Sequence, residues 1–432
     1  MQIIRHPKRS DWAHLAARPT LSFDEIERRV EPIMSAVKER GDAALRDFTR
    51  EFDCVAEPHF LTSDEEFSEA ERRLPDDLKA AIRLAASNIE RFHQAQLEAP
   101  ERIETQPGVV CWRKSVPIQR VGLYIPGGTA PLFSTILMLG VPSNIAKVPH
   151  RILCTPPQPD NSVHPAILFA ANLVGIRQVL KIGGAQAIAA LTFGTETIQK
   201  VDKIFGPGNQ YVTAAKQLAQ RSGIAIDMPA GPSEVAVLAD ASCRAAFVAA
   251  DLLSQAEHGA DSQVVFITTS EASIQEVLAE LERQTAVLPR SDIAQKALAN
   301  SRTVLFASMD EAVDFANEYA AEHLIIASDE ADVLAERIVN AGSIFLGHYS
   351  PEAVGDYASG TNHTLPTNGY ARSYSGVSVD SFVKKITFQR LTPEGIASLG
   401  TAVEILAEAE GLQAHRNAVT VRKLEIAHGS RR

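Results

Sequence analysis

Residues 226–240 read I-D-M-P-A-G-P-S-E-V-A-V-L-A-D, and the chain goes on to D-L-L-S-Q-A-E-H at 251–258. A Gly/Pro turn delivers a hydroxyl at Ser233. The apolar run Val235–Leu238 predicts a short strand, and the amphipathic stretch after it predicts a helix ending in Gln255 and His258. The same rhythm recurs outward in both directions. Short apolar runs lie at Val121–Ile125, Arg151–Cys154, Gln178–Ile182 and Val201–Phe205 on one side, and at Val264–Thr268, Thr303–Phe306, Leu324–Ala327 and Ile344–Leu346 on the other. Helical patterns separate them. Such alternation predicts an α/β fold with mostly parallel sheet. Gln255 and His258 stand at i and i+3, hence on one helix face. A carboxamide oxygen and an imidazole there are candidate ligands for a borderline metal such as zinc.

The first hundred residues read as helical. Val30, Ile33, Met34 and Val37 form a stripe that Gly41 stops, Ser63 and Glu66 fit a capping box, and Leu78, Ile82, Ala85, Ile89 and Phe92 form a second stripe. After about residue 385 a strand, Lys385–Gln389, leads into two closing helices. Pro and Gly cluster near residues 115 and 235, where domain breaks are expected.

With 432 residues the chain has room for roughly two or three domains. A formal net charge of −11 argues against binding nucleic acid or anionic lipid, both of which need a basic surface. The longest apolar run, Ala166–Ile176, is broken by Asn172 and Gly175, well short of the ~18 residues of a membrane span. The N-terminus has no apolar core of a signal peptide. Cys54, Cys111, Cys154 and Cys243 form no C-x-x-C pair, which fits a reducing cytoplasm. Neither Cys111 nor Cys154 has a neighbouring base to activate it, so both read as structural.

Glycine turns follow three of the predicted strands: Tyr124-Ile-Pro-Gly-Gly128, Gly183-Gly-Ala-Gln186 and Gly206-Pro-Gly-Asn209. A strand, a tight turn and a helix N-terminus make a generic anion site. None matches G-x-G-x-x-G. A single such turn is ordinary in any α/β protein, whereas three within ninety residues point to a nucleotide crevice at the strand ends.

Ionisable residues gather at three further places. Glu322-His323 opens an apolar strand, either as a simple edge pair or as a general base beside a carboxylate. The segment Gly355–Pro366 reads as a loop carrying Asp356, which could ligate metal, and His363, which could bind a carboxylate or polarise an oxygen. Glu410 and His415 flank Gly411; from the residues alone they read as a solvated helix-end charge and a C-terminal cap. The other histidines, His93 among them, read as polar or irregular and take no role.

Taken in order, these blocks resemble the histidinol dehydrogenase family over nearly the whole chain: V-G-L-Y-I-P-G-G at 121–128, I-G-G-A-Q-A-I-A-A-L at 182–191, F-G-P-G-N at 205–209, the block at 226–235, S-Q-A-E-H at 254–258, A-E-H-L at 321–324, G-D-Y-A-S-G-T-N-H-T-L-P-T at 355–367 and E-G-L-Q-A-H at 410–415. The resemblance implies two Rossmann-like, aldehyde-dehydrogenase-like domains without the G-x-G-x-x-G fingerprint, plus small helical N- and C-terminal segments. Its expected division is 1–115 with 236–384 as one α/β domain, 116–235 as the NAD-contacting domain, and 385–432 as a tail reaching a partner subunit. It implies Tyr124, Gln186 and Asn209 as NAD contacts, and Gln255, His258, Asp356 and His415 as ligands to one zinc per subunit. Ser233, Gln255, His258, His323, Asp356, His363, Glu410 and His415 would hold L-histidinol, with Glu322 and His323 as the acid–base pair. Oxidation would run through the aldehyde to L-histidine with two NAD, in a cytoplasmic homodimer with sites shared between subunits. The chain departs from the family pattern at Ala146–Arg151 and lacks an acid at His348, neither of them an implied site position. Other readings are a related zinc and NAD dehydrogenase for another alcohol, a silent scaffold on the same fold, and a nucleotide-binding regulator. The retained Glu322-His323 pair weighs against a scaffold, and the four implied zinc ligands against a regulator.

Overall fold

The computed structural model describes residues 1–18, 23–127, 131–229 and 231–429; Gly128 and Ala230 of the quoted motifs lie outside them. The strands among the described residues are β1 (Gln2–Arg5), β2 (Arg102–Gln106), β3 (Val109–Pro117), β4 (Arg120–Tyr124), β5 (His150–Thr155), β6 (Gln178–Lys181), β7 (Lys203–Phe205), β8 (Ala225–Ile226), β9 (Glu234–Ala239), β10 (Gln263–Thr268), β11 (Arg302–Leu305), β12 (His323–Ala327), β13 (Ser343–Leu346) and β14 (Val383–Leu391). The chain divides into two units. One comprises Met1–Gln96 and Ile118–Phe382, the other Leu97–Pro117 and Val383–Arg432.

The larger unit holds two parallel sheets. The first has the order β6-β5-β4-β7-β8. The second has the order β1-β11-β10-β9-β12-β13. Numbering strands within each sheet from the one that starts it, both follow the order 3-2-1-4-5 of a Rossmann-like half, with β1 added at one edge of the second. The α/β expectation is met, and each sheet has its topological switch point between the first and fourth strands.

Burial explains why these runs are strands. In β9 and β12 every residue is buried. Ala236, Leu238, Leu324 and Ile326 face one core, while Val235, Val237, Ala239, Ile325 and Ala327 face the other. Side chains alternate at a period of two, and helices cover both faces, so the runs read as continuous hydrophobic segments. At the carboxyl ends of β9 and β12, Asp240 bridges the gap. Its Oδ1 accepts from Ser242 N at 2.8 Å, and its Oδ2 accepts from Ser328 Oγ at 2.5 Å.

The N-terminal helices form as their stripes predict. Helix Phe23–Arg40 buries Ile26, Val30, Met34 and Val37 and stops at Gly41, whose φ is +53°. Ser63 and Glu66 form the reciprocal capping box. In helix Asp76–Gln94 the stripe continues through His93, and Phe92 is instead about half exposed. Helices Phe23–Arg40, Asp64–Arg73 and Asp76–Gln94 pack on the helices of the first sheet. Toward the second sheet go β1 and Trp12, the latter edge-on to Phe306 and Phe315.

In the smaller unit β14 and β2 pair antiparallel on either side of β3. Helices Pro393–Ala409 and Gln413–Gly429 follow, packed against each other. No helix among the described residues is long and apolar enough to cross a membrane.

Candidate active site

At the carboxyl edge of the first sheet the glycine turns meet. Tyr124 ends β4 in the core, and its hydroxyl oxygen accepts from Gly184 N at 3.1 Å. Burial pushes the phenol up, so it stays neutral. Gly206 follows β7 at φ +127°, and a Cβ there would lie 2.0 Å from Tyr124 O; only glycine fits. Gln186 is buried in the first turn of helix Gly184–Phe193. Asn209 caps helix Gln210–Arg221, its Oδ1 accepting from Tyr211 N and Val212 N at 3.1 Å each. The turns after β4 and β7 thus face each other across the switch point, where open α/β sheets take ligands.

The ionisable cluster lies at the opposite edge of the second sheet, where β9 and β12 begin. His323 is the first residue of β12 and pairs in register with Val235, two residues after Ser233. It points to the face covered by helix Ala245–Ala256. Its Nδ1 lies 3.4 Å from Glu352 Oε1 and 3.8 Å from Glu322 Oε2, and its Nε2 lies 3.3 Å from Asp356 Oδ1. Burial alone would lower the imidazolium's pKa, but Glu352, Glu322 and Asp356 outweigh it and push it up to about 10. Burial, with neighbouring carboxylates adding to it, pushes Glu322 and Glu352 up to about 8 despite His323. Burial works the same way on Asp356, yet the close charge of His323, together with His363 and His258, holds it below its ordinary value.

Asp356 corrects the loop expectation for 355–366: it lies in the short helix Glu352–Tyr357, and the irregular segment begins only after it. That helix also explains why Glu352 escaped the sequence reading. Glu352 and Asp356 stand at i and i+4, but Pro351 and Gly355 hide the helical pattern. His363 spans the two halves of the unit. Its Nδ1 is 2.8 Å from Asp356 O, and its Nε2 is 3.1 Å from Thr135 Oγ1 on helix Phe133–Ile145 beyond β4. A carbonyl can only accept, so Nδ1 carries the proton and Nε2 accepts from the threonine. Burial pushes the His363 pKa down, which suits this neutral form.

Helix Ala245–Ala256 stops just before His258, which is exposed on the single chain. Gln255 is fully buried, and its amide nitrogen lies 3.4 Å from His258 Nδ1. Among the described residues, Gln255 Oε1 has no hydrogen-bond partner; nor have the two ring nitrogens of His323, Glu352 Oε2 and Asp356 Oδ1. Buried polar atoms are rarely left so. The ligand atoms of His323, Glu352 and Asp356 lie within 4.8 Å of one another. Imidazole nitrogen, carboxamide oxygen and carboxylate oxygen form a donor set that suits a borderline divalent metal.

Glu322 is held from the other side. Its Oε2 accepts from Glu234 N at 3.0 Å, while Glu234 Oε1 accepts from Glu322 N at 3.3 Å. Arg18 grips Glu234 with two bonds of 2.7 Å and lies 3.8 Å above the Tyr319 ring. His93 also departs from its expected polar setting. It is fully buried, bonded through Nδ1 to Ile89 O at 2.8 Å, with Asn362 of the site segment 3.4 Å from its Nε2. Glu410 and His415 belong to the smaller unit, whereas the cluster belongs to the larger one. Glu410 closes helix Pro393–Ala409 as an exposed charge. His415 opens helix Gln413–Gly429 and so does not act as the C-terminal cap read from the residues alone.

Comparison with known proteins bears on this geometry. The histidinol dehydrogenase family model matches residues 16–423. A histidinol dehydrogenase of Bacteroides thetaiotaomicron is 55% identical over 98% of this chain and 99% of its own length. One from Xanthomonas oryzae pv. oryzae is 54% identical over 95% and 98%. A crystal structure of histidinol dehydrogenase from Elizabethkingia anophelis superposes with a TM-score of 0.96 at 52% identity, covering 99% of both chains. A family model spanning nearly the whole chain, with these relatives matched end to end, leads to one conclusion: the chain is an enzyme that belongs to the histidinol dehydrogenase family.

Proposed function

We propose that the chain oxidises L-histidinol to L-histidine through L-histidinaldehyde, using one zinc per subunit and two NAD per turnover. The observation that carries this reading is the set of buried polar atoms without partners around His323, beside a neutral His363 that reaches across to the nucleotide-type sheet. Gln255, His258 and Asp356 would hold the metal, with His415 of a second subunit completing the set. Tyr124, Gln186 and Asn209 would hold the dinucleotide. Zinc supplies orientation of the amino alcohol, and NAD supplies hydride acceptance.

The rest is the work of side chains. With Asp356 engaged by the metal and its charge offset, His323 would be neutral and take the hydroxyl proton on Nε2, the nitrogen on the Asp356 side. Its Nδ1 faces Glu352 and Glu322, whose charge stabilises the imidazolium. Glu322 would activate water to hydrate the aldehyde, and its fixed bond to Glu234 N aims the carboxyl. Ser233, His363 and Glu410 would bind the substrate's polar ends, with the metal ligands and His323 lining the rest. Exposed Ile405, Leu406, Val421 and Leu424 on the smaller unit support a homodimer. The free cysteines fit a cytoplasmic enzyme.

The decisive experiment counts NADH formed from limiting L-histidinol by zinc-loaded protein, with the product identified. Two NADH per histidinol with histidine as product is the expected result. No NADH from folded, zinc-loaded protein would sink the reading and favour a related dehydrogenase acting on another alcohol.

A further inference from the structure

One buried ion pair of the larger unit has no part in the chemistry above. Lys216, on helix Gln210–Arg221, and Asp227, just after β8, contact each other with their side chains 3% and 1% exposed. A buried pair is by itself a poor source of stability, because desolvation offsets the attraction. What stands out is where its remaining hydrogen bonds go. Lys216 Nζ donates to Gly206 O at 2.8 Å, and Gly206 N donates to Asp227 Oδ2 at 2.7 Å. Both backbone polar groups of one glycine are therefore held by the two halves of one ion pair.

That glycine is the residue at φ +127° whose α-carbon backs onto Tyr124 O. Tyr124 in turn holds Gly184 N through its hydroxyl. Fixing Gly206 thus fixes the start of the 206–209 turn against the other glycine turns of the crevice. Asp227 also reaches the other way: its Oδ1 accepts from Met228 N at 2.7 Å. Met228 opens the segment that runs to Ser233 and the first residues of β9.

We propose that Lys216 and Asp227 are positioning residues that set the 206–209 turn for the dinucleotide. The proposal rests on the reading of this crevice as the NAD site. The pair touches no substrate and moves no proton; it acts through the direction of the Gly206 peptide groups.

The test is calorimetric titration of NAD into the zinc-loaded protein, alongside steady-state kinetics. Two variants are compared with the wild type: Asp227→Asn, which keeps an acceptor for Gly206 N, and the double variant Lys216→Met/Asp227→Asn, which leaves no unpaired charge inside. Expected are a tenfold or larger rise in the NAD dissociation constant and in KM for NAD in the double variant, and a smaller rise in Asp227→Asn. KM for histidinol should stay within twofold, a split that general loosening of the fold would not give. A folded double variant, or a folded Asp227→Asn if the double variant does not fold, that binds NAD as tightly as wild type would overturn the proposal alone. A wild type that binds no NAD would overturn the cofactor reading and the proposal with it.

Discussion

Single residues around β12 separate what chain order reveals from what only folding assembles. Glu322 and His323 are adjacent, so their pairing was legible at once. Glu352 and Asp356 reach His323 through a helix too short and too Gly/Pro-bound to read. Arg18 lies 216 positions from Glu234, a contact no local pattern encodes. His323→Ala should lower turnover by roughly 10²–10⁴-fold, the share usual for a general base; near-normal turnover would remove His323 from the mechanism. Arg18→Ala should destabilise the fold by about 3–5 kcal/mol, since it strands the buried Glu234 charge. Denaturant unfolding measures this, and a loss under about 1 kcal/mol would show that the charge finds another partner. Asp53 carries a buried oxygen without a partner, and burial pushes its carboxyl up to about 6. Its unfolded value is near ~4, so the unfolded chain releases this proton first and the group costs stability as pH rises from about 4 to 6. Asp53→Asn should therefore melt above wild type at pH 7 by a margin that shrinks toward pH 4. A margin independent of pH would show that this carboxyl is not the cause.

At the scale of elements, the parallel strands were legible because burial on both faces writes them as unbroken apolar runs. The strands that escaped are those without that signature. β1 is a four-residue edge strand, Q-I-I-R, and β2 is R-I-E-T-Q, exposed throughout. Helix stripes placed the N-terminal helices but could not say which sheet they cover, since a stripe names a buried face and not its partner. Capping chemistry was legible because it is local. Ser63→Ala should cost about 1 kcal/mol by removing one half of the reciprocal cap, as thermal melts can check.

At the scale of the whole molecule, the proposed reading takes its metal ligands from two copies of the chain. A zinc chelator should abolish activity and added zinc restore it; full activity in metal-free protein would overturn the ligand set. Mixing His258→Ala chains with His415→Ala chains should regenerate one intact site per heterodimer, and no recovery after proven subunit exchange would argue against shared sites. The two sheets share one topology, yet the glycine turns and the ionisable cluster lie at opposite edges. The first presents glycine turns at its carboxyl ends. The second has an acid there, Asp240, fastened across the gap by Ser242 and Ser328. A carboxylate in that place repels a pyrophosphate. On the proposed reading only the first sheet offers a nucleotide berth, so a binding isotherm should saturate at one dinucleotide per chain, not two.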